Sequence, residues 1–126
     1  MTETISLGGT VVRVVAAEEP VTVLEIELSP RSGAPPHVHT REDETIVSLA
    51  GAIVVDDGEP RQLHVGEAHF LPRGVRHSFV NTGESVARAY FVCTPGGLER
   101  FFREVAAATT EAEAAGAAQR AGLRFG

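Results

Sequence analysis

The sequence predicts an all-β domain, a sandwich or barrel of short strands, with helices following it in the chain. Three observations predict this. Short apolar runs rich in Val, Ile and Leu are separated by Gly, Pro and Asn turns at close intervals. The 126 residues include 13 Gly and 7 Pro, with 43% hydrophobic content, as in a turn-rich globular chain. The apolar period then changes from two to the helical value at Thr94-Pro95-Gly96-Gly97. The length suits one domain over residues 1–126, with a barrel core at about residues 10–94 and a helical segment at about 96–122.

Residues 4–16 read as one or two opening strands broken at Gly8-Gly9, with Val11, Val12, Val14 and Val15 as β formers. After the turn Glu18-Glu19-Pro20, residues 21–28 alternate, with Leu24, Ile26 and Leu28 on one face. A loop over residues 29–33 leads to a strand holding His37 and His39, and residues 44–49 form another strand stopped near Gly51. Residues 52–56 and 62–65 are expected to form a hairpin around Asp57-Gly58. Strands at 68–71, 76–80 and 86–93 follow, divided by Pro72-Arg73-Gly74 and Asn81-Thr82-Gly83. Leu98, Phe101, Phe102 and Val105 then fall at helical spacing and are expected to cover the barrel's outer face. Thr110 and Glu113 make a capping box for a second, Ala-rich helix, and Leu123 and Phe125 read as a tail on the surface.

A net charge of −6 without a Lys or Arg cluster argues against nucleic acid or an anionic membrane as partner. The single Cys93 admits no internal disulfide and fits a reducing compartment. No secretory or membrane-spanning segment is read, so a cytoplasmic protein is expected.

Chemistry concentrates in Pro35-Pro36-His37-Val38-His39-Thr40-Arg41-Glu42-Asp43-Glu44. Two histidines one residue apart point the same way on an extended backbone, and the prolines favour extended entry. With Glu44 they offer three donors, which leaves a metal at least one ligand short. His77, just after the rigid Pro72-Arg73-Gly74 turn, is the candidate for the missing ligand. Glu42 reads as a solvated acid beside Arg41 that competes with Glu44 for the ligand role, and Asp43 as surface charge.

These residues resemble the two signature motifs of the cupin superfamily. Residues 33–51 carry His37, His39, Glu44 and Gly51 at the expected spacing, with only the leading glycine displaced. Gly66, Pro72, Gly74, His77 and Asn81 match the second motif, with 14 residues between Gly51 and Gly66, as in small single-domain bacterial cupins. Pro95-Gly96-Gly97-Leu98-Glu99-Arg100-Phe101-Phe102 is similar to the tail of the quercetin-dioxygenase-like subgroup. The resemblance implies a jelly-roll β-barrel in which His37, His39, Glu44 and His77 converge on one divalent metal. Such a donor set suits Fe, Mn, Ni, Zn or Cu better than Ca or Mg.

Strand parity adds Phe79 to His77's face and Ile46 and Ser48 to Glu44's face, with His69 a further pocket candidate. The lining would be apolar and suit a hydrophobic or aromatic small molecule; apart from Arg88, no Arg or Lys is expected to point inward and clamp a carboxylate or phosphate. His64 is expected on the surface and Cys93 as a buried small side chain. The functional expectation is an oxygenase on an aromatic or enolic substrate, with Glu44 as base as well as ligand. The alternatives are a non-redox cyclase or isomerase, resembling polyketide cyclases, and a non-catalytic metal-dependent binder. A homodimer is expected, because small cupins commonly pair and the apolar residues 11–15 would need covering at a sheet edge.

Overall fold

The computed structural model of the protein describes residues 2–126. In chain order they form β1 (Thr4–Leu7), β2 (Thr10–Ala17), β3 (Thr22–Leu28), β4 (Gly33–His39), β5 (Asp43–Ala50), β6 (Ile53–Asp56) and β7 (Pro60–Leu63). There follow β8 (Ala68–Leu71), β9 (His77–Asn81), β10 (Ala87–Thr94), α1 (Glu99–Ala107), α2 (Glu111–Ala121) and β11 (Leu123–Phe125). All strand pairs are antiparallel. One sheet runs β1-β2-β3-β10-β5-β8 and the other β11-β4-β9-β6-β7. This is the jelly roll that the sequence motifs imply, with two helices after it.

The alternating strands bury one face each. Leu24, Ile26 and Leu28 of β3, Ile46 of β5, Ile53 and Val55 of β6 and Phe91 of β10 form the core. Each fully buried aliphatic side chain contributes about 1.5–3 kcal/mol of transfer free energy. Gly33 sits where β4 crosses closest to β9: a Cβ there would stand 2.0 Å from the Phe79 carbonyl oxygen.

Several expectations change. The hairpin strand β7 begins at Pro60, two residues earlier than expected; it is an edge strand, where the missing N–H costs no ladder bond. Residues 11–15 are not at an edge, because β1 pairs β2 on one side and β3 on the other. That removes the sheet-edge argument for a partner copy at this strand. Leu123 and Phe125 are more than a tail on the surface: β11 pairs with β4, placing Phe125 opposite His37. Its approach is set by α2, whose Thr110 hydroxyl caps the Glu113 N–H at 3.1 Å, and by Gly122, which ends the helix in the left-handed region at φ 73. Finally, Leu98, Phe101 and Phe102 of the α1 region do not merely coat the barrel's exterior. Leu98 and Phe101 pack with Cys93 and Leu123, and all three side chains wall a cavity inside the barrel mouth.

Candidate metal centre

β4 presents His37 and His39 inward, with Val38 turned away between them. Pro35 and Pro36 lack the N–H groups a ladder needs, and the β4–β9 register shifts between Ala34 and His37. Pairing resumes with His37 directly opposite His77. The Pro72-Arg73-Gly74 turn delivers His77 through two clasps on the first motif: Gly74 N–H donates to the His39 carbonyl at 2.8 Å, and Arg73 N–H donates to Asp43 Oδ1 at 2.8 Å. The Arg73 guanidinium also binds Asp43. Asp43, a charge at the surface as expected, therefore also ties the two motifs together.

One nitrogen from each of His37, His39 and His77 lies within 4.8 Å of the others. Glu44 reaches across from the opposite sheet, with Oε1 3.3 Å from His77 Nε2 and Oε2 3.5 Å from His39 Nε2. Two donors on one first-row ion, each about 2.1 Å from it, stand about 3 Å apart. His77 Nε2 and Glu44 Oε1 are buried without a hydrogen-bond partner, which costs free energy unless something binds them. The outer nitrogens are engaged: His37 Nδ1 donates to the Pro35 carbonyl at 2.7 Å and His77 Nδ1 to the Val75 carbonyl at 3.2 Å. That leaves each Nε2 with a free lone pair facing the centre. The donor set and its unpartnered atoms fit a divalent transition metal.

The electrostatics are those of a desolvated site. Burial is the largest cause holding His37 down to about 4; the Pro35 hydrogen bond partly offsets it, and His77 and His39 add to the depression. Burial pushes the Glu44 carboxyl up, but the adjoining His77 imidazole and the charges of His39, His77 and His37 outweigh it, so its pKa is lowered. His37 neutral and Glu44 ionised are the forms a cation needs.

His37, His39 and Glu44 line a cavity of about 220 Å³, and His77 lies outside its lining. The cavity's other walls include Phe79, Phe91, Phe101, Phe102 and Phe125, with Leu24 and Ile26 beneath, and among the described residues no Lys or Arg lines it. Phe79 is therefore where parity puts it. Ile46 and Ser48 do share Glu44's buried face, but they do not line the cavity. β5 rises about 3.3 Å per residue, which carries both away from the mouth into the packed interior. His69 pairs with Ile46 across β5 and β8 and so faces inward, yet its Nε2 binds Asp57 Oδ2 at 2.8 Å at the hairpin turn. It is a strap between the sheets and lines no part of this cavity. Arg88 points outward to Glu25, and His64 is exposed.

Three residues of this region escaped the sequence reading. Glu42 is 5% exposed, not solvated, and its Oε1 lies 3.4 Å from His39 Nδ1. It is on the far side of that ring from Glu44, so the two acids do not compete for one position. Cys93 is buried, as expected, but it also faces Glu44. Phe125 lies over His37 with ring centroids 5.5 Å apart. Only the i, i+3 spacing of His39 and Glu42 was a usable signal; the other two contacts depend on strand pairing.

Residues 24–93, more than half of the chain, match the family model described as Cupin domain. Protein SchB of Streptomyces halstedii is 40% identical over 60 residues, 47% of this chain and 44% of that protein; the chain thus spans less than half the length of the curated relative it matches. Among solved structures, KdgF from Halomonas sp. superposes with a TM-score of 0.71 at 22% identity, covering 77% of this chain and 89% of that one, a likeness of fold. The polyketide cyclase RemF from Streptomyces resistomycificus superposes with a TM-score of 0.65 at 26% identity, covering 74% and 73%.

Proposed function

This chain belongs to the cupin family, and from that premise we propose that it is a metal-dependent enzyme carrying out non-redox cyclisation or elimination on a hydrophobic, aromatic or enolic small molecule. The observation that carries the reading is the cavity: an aromatic chamber with no cationic side chain among the described residues, lined on its polar side by His37, His39 and Glu44, with His77 beside them in the donor cluster. His37, His39, His77 and Glu44 would hold the ion. A divalent ion bound there supplies Lewis-acid polarisation of a substrate oxygen.

The protein's own groups do the rest. Phe79, Phe91, Phe101 and Phe102 exclude water and orient a flat ring against the donor end. Among the described residues Glu44 is the one carboxylate on the cavity wall. Its carboxylate would accept a proton from a substrate hydroxyl or acidic carbon and return it to a leaving hydroxide. The absence of Lys and Arg from the lining disfavours phosphorylated or carboxylated substrates. The likeness to a polyketide cyclase supports cyclisation over oxygenation. An oxygenase is the second reading, favoured by a nitrogen-rich donor set that also suits redox-active metals.

The test incubates metal-loaded protein with a panel of phenolic and poly-β-ketone substrates, following product mass and oxygen uptake. Products isomeric with substrate, or lighter by one water, with no oxygen consumed, are expected. Oxygen incorporation would replace this reading with the oxygenase, and no turnover across the panel would leave a binding protein.

A further inference from the structure

The three histidines differ in what stands behind them. His37 and His77 are backed by neutral backbone carbonyls, of Pro35 and Val75. Behind His39 Nδ1 stands a carboxylate, Glu42 Oε1 at 3.4 Å. Both side chains are at least nine-tenths buried, and among the described residues neither atom makes a hydrogen bond in the metal-free fold. A buried carboxylate and an imidazole nitrogen left facing only one another are costly unless they serve each other.

We propose that Glu42 is a positioning residue: it fixes His39 as the Nδ1–H tautomer, turns Nε2 toward the centre, and raises the basicity of that nitrogen. The inference rests on the metal-site reading above. Its physical basis is that a carboxylate behind a ligating imidazole orients the ring and strengthens it as a donor, and that losing such a partner typically weakens metal binding about 10- to 100-fold. His39 is then the strongest of the three imidazole donors, and the site carries one more negative charge than its ligands supply. Glu42 also borders a separate cleft of about 300 Å³, which Arg41, Arg100 and Arg120 line.

A structural role and a positioning role separate by pairing Glu42→Gln with Glu42→Ala. Gln keeps the volume and removes the charge; Ala removes both. Zinc affinity of the metal-stripped protein is read by competition with a chelating dye, and the melting temperature of the metal-free protein is read alongside. The expected result is a 10- to 100-fold loss of zinc affinity in Glu42→Gln, with the metal-free melting temperature unchanged or raised. Wild-type affinity in Glu42→Gln, with loss only in Glu42→Ala, would overturn the proposal and leave Glu42 as packing. A wild-type protein that binds no zinc, manganese or iron would instead overturn the metal-site reading and this inference with it.

Discussion

Cys93 on β10 stands directly across from Glu44 on β5, its sulfur 3.7 Å from Glu44 Oε2. Burial is the main cause pushing the thiol well above its ordinary range, and the Glu44 and Glu42 charges add to it. The reactive species is the thiolate, so this cysteine should be inert despite its place beside the centre. Native protein at pH 8 is expected to resist iodoacetamide, with stoichiometric labelling only in denaturant. Rapid labelling of native protein would contradict the packing.

Asn81 is fully buried and gives both amide hydrogens away, to the Leu28 carbonyl at 2.9 Å and the Ser85 carbonyl at 2.8 Å. Its Oδ1 accepts from Gly83 N–H at 2.8 Å. Asn81→Leu strands three polar groups, so a loss of roughly 2–5 kcal/mol is expected. Urea unfolding of the metal-free protein measures it; a change under about 0.5 kcal/mol would refute this role.

His37 titrates near 4 in the fold and near 6.5 in an unfolded chain. Between these values the unfolded state binds the extra proton, so stability is full above 6.5 and is lost as pH falls toward 4. The size is up to roughly 3 kcal/mol. Denaturation midpoints of metal-free protein at pH 7 and 4.5 should show this fall, and His37→Gln should reduce it. Parallel profiles for the two proteins would exclude His37 as the cause.

Phe125 is half exposed at the cavity mouth and leans on His37. An aromatic pair is worth about 0.5–1.5 kcal/mol beyond area burial. Phe125→Ala should therefore weaken binding of a bicyclic phenol such as naphthol a few-fold to about tenfold by calorimetry, with metal content unchanged. Undiminished affinity would show that β11 plays no part in recognition.

Much of the donor set was legible because it obeys local rules. Parity aligned His37 with His39, and a Pro-Gly turn fixed where His77 begins its strand. Glu42 shows the limit: an acid between Arg41 and Asp43 reads as solvated, and only the bend after β4 turns it under His39. Phe101 and Phe125 mark a second limit. Helical spacing told that Phe101 is apolar-facing but not which surface it meets, and a three-residue strand such as β11 has no sequence signal of its own. His69 shows a third, since inward parity does not exclude a partner such as Asp57 arriving from the other sheet.

The most direct test of the account is elemental analysis of the purified protein beside His77→Ala, with circular dichroism to show that both are folded. The account predicts about one divalent first-row ion per wild-type chain, directly or after reconstitution, and its loss from the folded variant. Wild-type protein that takes up no Fe, Mn, Ni, Cu or Zn, or a folded variant that keeps its ion, would contradict it.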